Sequence, residues 1–490
     1  MLKRTLIANR GEIACRIIRC LRDLGVASVA VYHHEDRHAP FVQLADEAIQ
    51  IDAAAPAAAY LDQRQLIDIA RRAGANAVHP GYGFLSENAD FAAGVVAAGL
   101  TFIGPEAATI RLMGDKIRAR QIAIEHGVPC APSAVQSGSL QSFVDEASKI
   151  GFPLLIKAAA GGGGKGMRIV QSPQELAASA EIAGSEALRH FGDARVYAES
   201  YIDHPRHIEV QVLGDGAGNV VHLHERECSI QRRYQKIVEE CPAPNLSAEL
   251  RGRIHSAAVR IAAAVRYKNA GTIEFILAPD GRFYFLEMNT RLQVEHPVTE
   301  QALGVDLVAA QFRIASGEGL PFSQEELRVK MHAIECRICA EEPDRDFRPA
   351  VGKVGLLRIP RGEGLRFDGG IREGQAITPA FDSMLGKLIG YAASRETALA
   401  RLSQGLADLV ILGVPTNIEY LTRILANEQF RRGRLHTGFL AEQSAALAPP
   451  AAEANELAAA LIAAALGDSD FRRTAFEIPE PHASIGSWTN

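Results

Sequence analysis

Hydrophobic and polar positions alternate in blocks at the start of the chain, in a pattern that predicts a β-α-β unit. RTLIAN and ASVAVY are short apolar runs typical of buried strands. The segment between them predicts a helix that ends before Gly25 and buries four apolar residues at helical spacing, Ile13, Ile17, Leu21 and Leu24. Similar blocks continue through ANAVHPGYG and TFIGP, so we expect a mostly parallel sheet with helices on both faces.

The pattern changes near residue 115. A predicted helix, GDKIRARQIAIEHG, leads into a smaller α/β segment at about 132–203, and two predicted hairpins follow, HIEVQVLGDGAGNVVHLHE and GTIEFILAPDGRFYFLEMN. Residues 332–392 are rich in predicted strands and residues 395–444 in predicted helices. Residues 446–490 begin with the linker-like APPAAEA and continue as a short alanine-rich helix and tail. The fold class expected from this order is mixed α/β, with several domains.

Composition narrows the possible partners. The 490 residues are 47% apolar and 22% charged, which is ordinary for a globular protein. The formal net charge of −6 gives no overall positive field for nucleic acid. The N-terminus has no signal-peptide pattern, and the longest apolar stretch, LAAALIAAAL, is too short to span a membrane. We therefore expect a cytoplasmic protein that binds neither nucleic acid nor membrane.

The seven cysteines are scattered, which favours reduced thiols. Cys336 and Cys339 form a C-x-x-C pattern, but on the predicted strand HAIECRICAE they point to opposite faces. No second cysteine pair stands at zinc spacing, so a metal or redox role for this pair is disfavoured.

The glycine-rich stretch KAAAGGGGKGMRIV (157–170) is a candidate phosphate-binding loop. It lacks the spacing of a Walker A motif, and it joins a strand to a strand, which argues against a dinucleotide-binding turn. A loop of this kind can fold over phosphates and offer backbone N–H groups and a lysine. The alternative is a flexible surface hairpin, and the loop alone does not decide between the two.

The segment EMNTRLQVEHP (287–297) carries the strongest local signal. If the chain is extended here, one face carries five polar or charged side chains, Glu287, Asn289, Arg291, Gln293 and Glu295. The opposite face is mostly apolar. One face is therefore predicted to pack in the core, and the other to line a site.

The preceding hairpin is predicted to add a sixth polar group. If Leu277 pairs near Arg282, or in any register of the same parity, Glu274 lies on the same face as Glu287. Two carboxylates and the amide oxygen of Asn289 form a hard oxygen set suited to Mg²⁺ or Mn²⁺. A solvated strand face with cross-strand ion pairs is the alternative. A solvated face of that kind is expected to carry residues such as Lys, Glu and Thr, whereas this face carries Asn and Gln between Arg and Glu.

Other predicted strands also carry polar side chains on one face and apolar side chains on the other. RHIEVQV places on one face His207, Glu209 and Gln211, and AIECRI pairs Glu335 with Arg337. CSIQRRYQK gathers Gln231, Arg232, Arg233 and Lys236, a candidate local anion site whose alternative is a solvated basic turn. A glycine loop, a carboxylate–amide metal site and a basic cluster together predict metal-assisted phosphoryl transfer from a nucleotide.

These motifs resemble those of the biotin carboxylases, members of the ATP-grasp superfamily. The collinear stretches are IANRGEIACRI, HPGYGFLSEN, IKAAAGGGGKGMR, CSIQRRYQK, EMNTRLQVEHPVTE, ECRICAEEP and FDSMLGK, which lie between residue 1 and about residue 444. The resemblance implies a Rossmann-like preATP-grasp domain (1–114), an ATP-grasp domain (115–330) with a mobile lid (about 132–203) and a biotin carboxylase C-terminal domain (331–445). Residues 446–490 would be a linker and helical extension of unknown role.

The resemblance implies a two-step reaction. Bicarbonate attacks the γ-phosphate of MgATP to give carboxyphosphate and ADP, and the CO₂ released from carboxyphosphate carboxylates biotin on a biotin carboxyl carrier protein. This is the first half-reaction of a biotin-dependent carboxylase. An acetyl-CoA carboxylase is favoured over a propionyl-, methylcrotonyl- or pyruvate-type enzyme. The remaining alternatives are another ATP-grasp carboxylate ligase and a catalytically silent nucleotide-binding subunit, and the intact acidic and basic residues argue against the silent subunit.

The resemblance also implies residue roles. Bicarbonate would be held by Lys236, Arg291, Gln293 and Val294, with Glu295 as general base. Biotin would be contacted by Tyr82 and by Arg337, and Arg337 would stabilise the biotin enolate. ATP would be bound by Lys116, Lys157, Gly161, Gly162, Gly163, Gly164, Gly166, Glu199, Ile202, His207, Gln231, Glu274 and Glu287. Mg²⁺ or Mn²⁺ would be held by Glu274, Glu287 and Asn289.

Some positions depart from the family pattern. Tyr234 stands where His is usual beside the nucleotide, and Ser200 stands where Lys is common, so both bear on nucleotide affinity. Arg16 and Arg19 match a homodimer interface, whereas Glu363 replaces a frequent aromatic there. The biotinylation tetrapeptide Ala-Met-Lys-Met does not occur. Biotin is therefore expected to arrive on a carrier that is not attached to this chain, with a carboxyltransferase as a further partner. The alternative is that this chain is a truncated form of a longer subunit.

Overall fold

The structure is a computed structural model that describes residues 2–136, 139–160, 167–450 and 454–467. Residues 1–447 form one compact unit, and residues 448–490 form a second, in which the described element is the helix Ala454–Gly467. Among the described residues, no helix has the length and apolar character needed to cross a membrane.

The N-terminal residues form the parallel sheet that the hydrophobic pattern predicts. Its five strands, in spatial order, are Glu47–Gln50, Ala27–Tyr32, Arg4–Ile7, Ala77–His79 and Thr101–Phe102. The helices of this region are Gly11–Asp23, Pro40–Leu44, Pro56–Ala59, Gln63–Arg72, Ala89–Ala97 and Ala107–Gly114. In the central strand, Leu6 and Ile7 point to opposite faces, and both are buried in separate apolar clusters. Both faces of the sheet are therefore covered, which explains why its strands are continuous apolar runs.

The first helix matches its predicted burial except at one position. Ile13, Ile17 and Leu21 are buried, whereas Leu24 is 36% exposed. The prediction for Leu24 is wrong because the helix ends at Asp23, and the chain then turns through Gly25, which has a positive φ.

A small antiparallel sheet follows. Its strands, in spatial order, are Ser133–Val135, Val196–Ser200, Leu154–Ala158 and Arg168–Val170, and its helices are Leu140–Ser148 and Pro173–Phe191. The strands before and after the glycine-rich loop pair directly with each other, so the prediction that this loop joins two strands is confirmed. The loop itself, residues 161–166, lies outside the described residues.

The largest sheet is antiparallel and has eight strands. In spatial order they are Phe283–Asn289, Lys268–Leu277, Arg206–Asp215, Val220–Arg232, Gln235–Cys241, His332–Cys339, Met384–Ala392 and Leu365–Gly369. The fifth and sixth strands pair across the predicted boundary at residue 330. The sheet is therefore continuous between the two predicted domains.

The large sheet has chemically different faces. Ile208, Val210 and Val212 pack in an apolar cluster with residues of the helices Lys116–Glu125 and Ala248–Ala264. The alternating residues of the same strand are polar and point the other way. The remaining main helices are His296–Leu303, Leu307–Ala315, Arg395–Asp408 and Ile418–Ala426. The polar face is the one that carries the candidate site.

Short elements complete the C-terminal part. The paired strands are Glu341–Glu342 with Arg348–Pro349, Gly352–Lys353 with Ala376–Ile377, and Leu356–Arg358 with Val410–Leu412. The short helices are Glu428–Arg431, Phe439–Glu442 and Ser444–Leu447, and single 3-10 turns occur at His34–Asp36 and Pro343–Arg345.

Candidate active site

A cavity of about 610 Å³ lies over the polar face of the large sheet and extends to the small antiparallel sheet. Its lining includes every predicted site residue that the structure describes: Tyr82, Lys116, Lys157, Glu199, Ile202, His207, Gln231, Lys236, Glu274, Glu287, Asn289, Arg291, Gln293, Val294, Glu295 and Arg337. The predicted loop residues Gly161, Gly162, Gly163, Gly164 and Gly166 lie outside the described residues.

Glu274 and Glu287 meet through a register that differs from the predicted one. Leu277 pairs with Phe283, one residue beyond the predicted Arg282. If this register continued along the hairpin, Glu274 and Glu287 would lie on opposite faces of the sheet. A β-bulge between Glu274 and Phe275 shifts the pairing, so that Glu274 lies directly opposite Glu287. The predicted juxtaposition is therefore confirmed, but the bulge produces it.

The expectation of one extended strand through EMNTRLQVEHP is wrong. The strand ends at Asn289, and a helix begins at His296. Between them Arg291 donates to the carbonyl oxygen of Leu292 at 3.1 Å and to Gln293 Oε1 at 2.9 Å. The five polar side chains still line one cavity, because this turn directs them to the same place.

Lys236 lies at the centre of the acidic residues. Its Nζ donates to Glu274 Oε1 at 2.8 Å, to Glu295 Oε1 at 2.7 Å and to Glu209. Burial alone would lower the pKa of Lys236, but the negative charges around it outweigh burial and hold that pKa well above its ordinary value. Lys236 therefore stays charged, and a cation is available at the base of the cavity.

Glu295 lies between two cations. Its Oε2 accepts a hydrogen bond from Arg337 Nη2 at 2.9 Å, while its Oε1 faces Lys236. Burial opposes ionisation, but Lys236 and Arg337 outweigh it and hold the pKa of Glu295 well below its ordinary value. Glu295 is consequently an ionised acceptor, fixed in position by two charge-assisted hydrogen bonds.

The oxygen set of Glu274, Glu287 and Asn289 fits a hard divalent cation. Like charges directly opposite each other on paired strands are unfavourable unless a cation lies near them. Here Lys236 contacts Glu274, and Lys116 contacts Glu287. Asn289 Nδ2 donates to Glu274 Oε1 at 2.9 Å, which orients the amide. Two carboxylates and an amide oxygen are ligands that Mg²⁺ prefers.

Positive charge also lies at the other end of the cavity. Lys157 forms an ion pair with Glu199 on the neighbouring strand of the small sheet, and Arg120 Nη1 lies 3.1 Å from the same carboxylate. The backbone N–H of Lys116 donates to the carbonyl oxygen of Ala159 at 2.9 Å. Lys116, Lys157 and Glu199 are therefore held next to the start of the glycine-rich loop.

The predicted basic cluster of CSIQRRYQK is only partly brought together. Arg233 is largely exposed and pairs with Asp346, and Arg232 pairs with Glu341 at 3.1 Å. Gln231, Arg232 and Lys236 all line the cavity, whereas Arg233 does not, and Gln231 Nε2 lies 2.9 Å from His207 Nδ1. Cross-strand pairing explains the split, because Arg233 lies in the hairpin turn and Lys236 at the start of the next strand.

Sequence reasoning missed two residues that position the site. Lys387 is fully buried and donates to the carbonyl oxygen of Val294 at 2.7 Å, and it also lies 3.0 Å from Glu12. Glu12 in turn accepts a hydrogen bond from the Tyr82 hydroxyl. Glu12 lies in IANRGEIACRI and Lys387 lies in FDSMLGK, two motifs that resemble those of the family, and this resemblance could have identified both residues as candidates. Their contacts, each between residues far apart in the chain, could not be read from sequence spacing.

Family models match three consecutive parts of the chain. They are described as the N-terminal domain of biotin carboxylase (residues 1–110), the ATP-binding domain of the carbamoyl-phosphate synthase L chain (115–323) and the C-terminal domain of biotin carboxylase (335–442). The first match covers the parallel sheet, the second covers the small sheet and five strands of the large sheet, and the third covers most of the remaining strands of the large sheet.

Individual relatives are also similar over most of their length. The chain is 49% identical to a biotin carboxylase of Nostoc sp., covering 90% of this chain and 98% of that protein. It is also 49% identical to a pyruvate carboxylase subunit of Methanothermobacter thermautotrophicus, covering 90% of each. The biotin carboxylase domain of the Hydrogenobacter thermophilus 2-oxoglutarate carboxylase superposes with a TM-score of 0.89 at 44% identity, covering 92% of this chain and 99% of that one. That domain was crystallised as a dimer with MgADP, ADP and bicarbonate.

Proposed function

Because this chain belongs to the biotin carboxylase family, we propose that it uses ATP and bicarbonate to carboxylate biotin held on a carrier protein. The protein is an ATP-dependent ligase of that family, and this reaction is the first half-reaction of a biotin-dependent carboxylase. The observation that carries the proposal is the position of Glu295, an ionised carboxylate between Lys236 and Arg337, beside the oxygen set of Glu274, Glu287 and Asn289.

Bicarbonate binds at the Lys236 end of the cavity in this proposal. It is a weak anionic nucleophile, so it needs positive charge to hold it close to a triphosphate. Lys236 and Arg291 supply that charge, with Gln293 and the backbone near Val294 as further contacts. Glu295 removes the bicarbonate proton as general base. Once Lys236 turns toward bicarbonate, Glu295 loses part of its positive surroundings and becomes a stronger base.

ATP lies along the cavity with its phosphates between the two sheets. Lys116 and Lys157 contact the phosphates, and Glu199 and Ile202 lie at the end that receives the adenine. His207, Gln231, Glu274 and Glu287 complete the proposed nucleotide set. The glycines at 161–166 remain predicted to close over the phosphates.

Magnesium, or manganese, is proposed to be held by Glu274, Glu287 and Asn289. When bound, it neutralises charge on the transferring phosphoryl group. The residues of the chain must first release their ion pairs, since Lys116 contacts Glu287 and Lys236 contacts Glu274. These lysines then become available to phosphate and to bicarbonate.

Biotin is proposed to bind at Arg337, with Tyr82 nearby. Arg337 Nε donates to Glu239 at 2.6 Å, and a guanidinium held in this way keeps a fixed direction toward the cavity. It can stabilise negative charge on the ureido oxygen while the ring nitrogen attacks CO₂. The hydroxyl of Tyr82 is held by Glu12, so its ring is fixed at the cavity wall.

The parent enzyme is proposed to be of the acetyl-CoA carboxylase type. The 49% identity to a relative named biotin carboxylase supports this proposal, in which a carrier and a carboxyltransferase are the partners. The equal identity to a pyruvate carboxylase subunit supports the pyruvate-type alternative. Reconstitution with each carboxyltransferase and its acceptor would separate the two.

Domain limits and oligomeric state complete the proposal. We propose the divisions 1–114, 115–330, 331–445 and 446–490, and a homodimer. Arg16 is buried within the chain against Glu300 and Asp306, whereas Arg19 is exposed and available to a second copy. Light scattering of the wild type and of Arg19→Glu tests the dimer, because a reversed charge at an interface would shift the mass toward the monomer.

The experiment that tests the function is ADP release with and without bicarbonate, with free biotin as a third condition. Release that requires bicarbonate and rises with biotin is the expected result. If folded protein with Mg²⁺ hydrolyses ATP at a rate that depends on neither bicarbonate nor biotin, the proposed reaction is wrong. The chain would then be assigned only to the wider class of ATP-grasp ligases.

A further inference from the structure

Three histidines gather on the face of the large sheet that lies away from the cavity. Two come from the fourth strand of the sheet, His222 and His224, and the third, His255, comes from the helix that covers this face. His222 pairs with Val212, whose side chain packs in the apolar core beneath that helix. Since paired residues share a face, the histidines belong to the helix-covered side and not to the active site.

The three rings are close enough to share one ion. A ligand nitrogen from each lies within 4.8 Å of the others. The ring centroids of His222 and His255 are 4.1 Å apart, and those of His224 and His255 are 5.2 Å apart. Imidazole nitrogens are common metal ligands, so three rings at this spacing suit a shared ion.

Hydrogen bonds fix the tautomers of two of the rings. His224 Nε2 lies 2.9 Å from the carbonyl oxygen of Leu327, and His255 Nε2 lies 2.6 Å from Glu225 Oε2. Both partners are acceptors, so Nε2 carries the hydrogen and Nδ1 keeps its lone pair. Among the described residues, the buried Nδ1 of His224 has no hydrogen-bond partner. Metal-bound histidines commonly donate their second N–H to a carboxylate or a carbonyl in this way.

We propose that His222, His224 and His255 form a binding site for a divalent transition metal, with zinc as the fitting ion and water as its fourth ligand. Imidazole nitrogens suit zinc, whereas the oxygen set of Glu274, Glu287 and Asn289 suits Mg²⁺. Nitrogens bound to one tetrahedral zinc ion lie about 3.3 Å apart, so each pair of nitrogens need approach by no more than about 1.5 Å. Glu225 and the Leu327 carbonyl orient the rings.

The ion would join three parts of the fold. Gln324 already bonds both backbone groups of His222, at 2.9 Å and 3.0 Å, and Leu327 contacts His224. The strand, the covering helix and the 324–327 segment therefore meet at these rings. A ligand that binds only the folded state stabilises it, so zinc should raise the melting temperature.

The test is a zinc titration of the metal-stripped full chain by calorimetry, with MgADP in excess throughout. MgADP occupies the cavity, where His207, Glu209 and Glu274 form another group that zinc could enter. The wild type should bind one zinc ion per chain. His255→Gln should weaken binding at least about tenfold, and His224→Asn should do the same. Asn suits the positive φ of 59° at that position.

Two further variants make the result decisive. His222→Gln, at a partly exposed strand position, replaces either variant that fails to fold. His436→Gln is the matched control, because His436 lies in a different group with His204 and Glu442, and its titration should equal that of the wild type. Zinc binding that is absent from the wild type, that survives in His255→Gln, or that is lost in His436→Gln would overturn the proposal.

Discussion

Replacing Glu295 by Gln tests the proposed general base, because its effect on the reaction rate and its effect on the stability of the fold can be measured separately. The substitution removes the partner of two buried cations, and breaking a buried ion pair commonly costs about 3–5 kcal/mol. Here Lys236 keeps Glu209 and Glu274, and Arg337 keeps Glu239, so neither cation is left unpaired. We therefore expect a smaller loss, about 1–3 kcal/mol in the free energy of unfolding, which a denaturant titration measures.

The effect on rate should be larger. A positioned general base contributes about 10²–10⁴-fold, which corresponds to about 3–5 kcal/mol of activation free energy. The assay is bicarbonate-dependent ADP release at saturating MgATP, at a temperature where the variant remains folded by circular dichroism. Bicarbonate-independent ATP hydrolysis is measured in parallel, because loss of the base should not suppress it to the same degree.

Glu240→Gln is the matched control. Glu240 is buried and lies 2.7 Å from both His332 and Arg395, so it is also held by two side-chain donors, but it does not line the cavity. Its substitution should lower stability and leave the bicarbonate-dependent rate of folded protein within about threefold of the wild type. A Glu295→Gln variant that keeps the wild-type rate, or a Glu240→Gln variant that loses as much, would refute the assignment of Glu295.

Three other predictions concern pH, metal and acid stability. Burial raises the pKa of Glu239 to about 7 despite Arg337, so the wild-type rate should change slope near pH 7, and a pH profile of Glu239→Gln should lack that step. Asn289→Ala removes a proposed oxygen ligand and should raise the Mg²⁺ concentration for half-maximal rate by about tenfold, whereas an unchanged Mg²⁺ titration would exclude Asn289 as a ligand. Burial opposes ionisation of Glu300, but Arg16 and Arg366 lower its pKa from 4.5 to about 2. Its stabilisation, about 3 kcal/mol, is thus present above pH 4.5 and lost as the pH falls toward 2, so Glu300→Gln should destabilise the fold much more at pH 7 than at pH 2.5 by denaturant titration.

Much of the fold followed from local patterns. Apolar runs predicted the parallel strands, and the period-two pattern of RHIEVQV correctly placed on a polar face His207, which lines the cavity, and Glu209, which contacts Lys236. The same rule found the five polar residues of EMNTRLQVEHP, although their strand ends at Asn289. Alternation identified these polar residues, but it does not hold beyond the strand, because Val294, which it assigns to the opposite face, also lines the cavity.

Other features depend on contacts that no local pattern records. The β-bulge beside Glu274 changes the register of a hairpin whose turn gave no sign of it. The link between Lys387, Val294 and Glu12 joins three distant parts of the chain. Sequence proximity suggested that Arg233 and Lys236 form a single basic cluster. They separate because Arg233 lies in the hairpin turn and Lys236 lies on the following strand.

The most direct test of the central claim follows the oxygen atoms of bicarbonate. If a bicarbonate oxygen attacks the γ-phosphorus of ATP, as the arrangement of Lys236, Arg291 and Glu295 requires, that oxygen remains on phosphorus when carboxyphosphate decomposes. With ¹⁸O-labelled bicarbonate, mass spectrometry of the released phosphate should find one labelled oxygen in each molecule formed in the presence of biotin. Phosphate whose new oxygen comes from water would contradict the proposed phosphoryl transfer to bicarbonate.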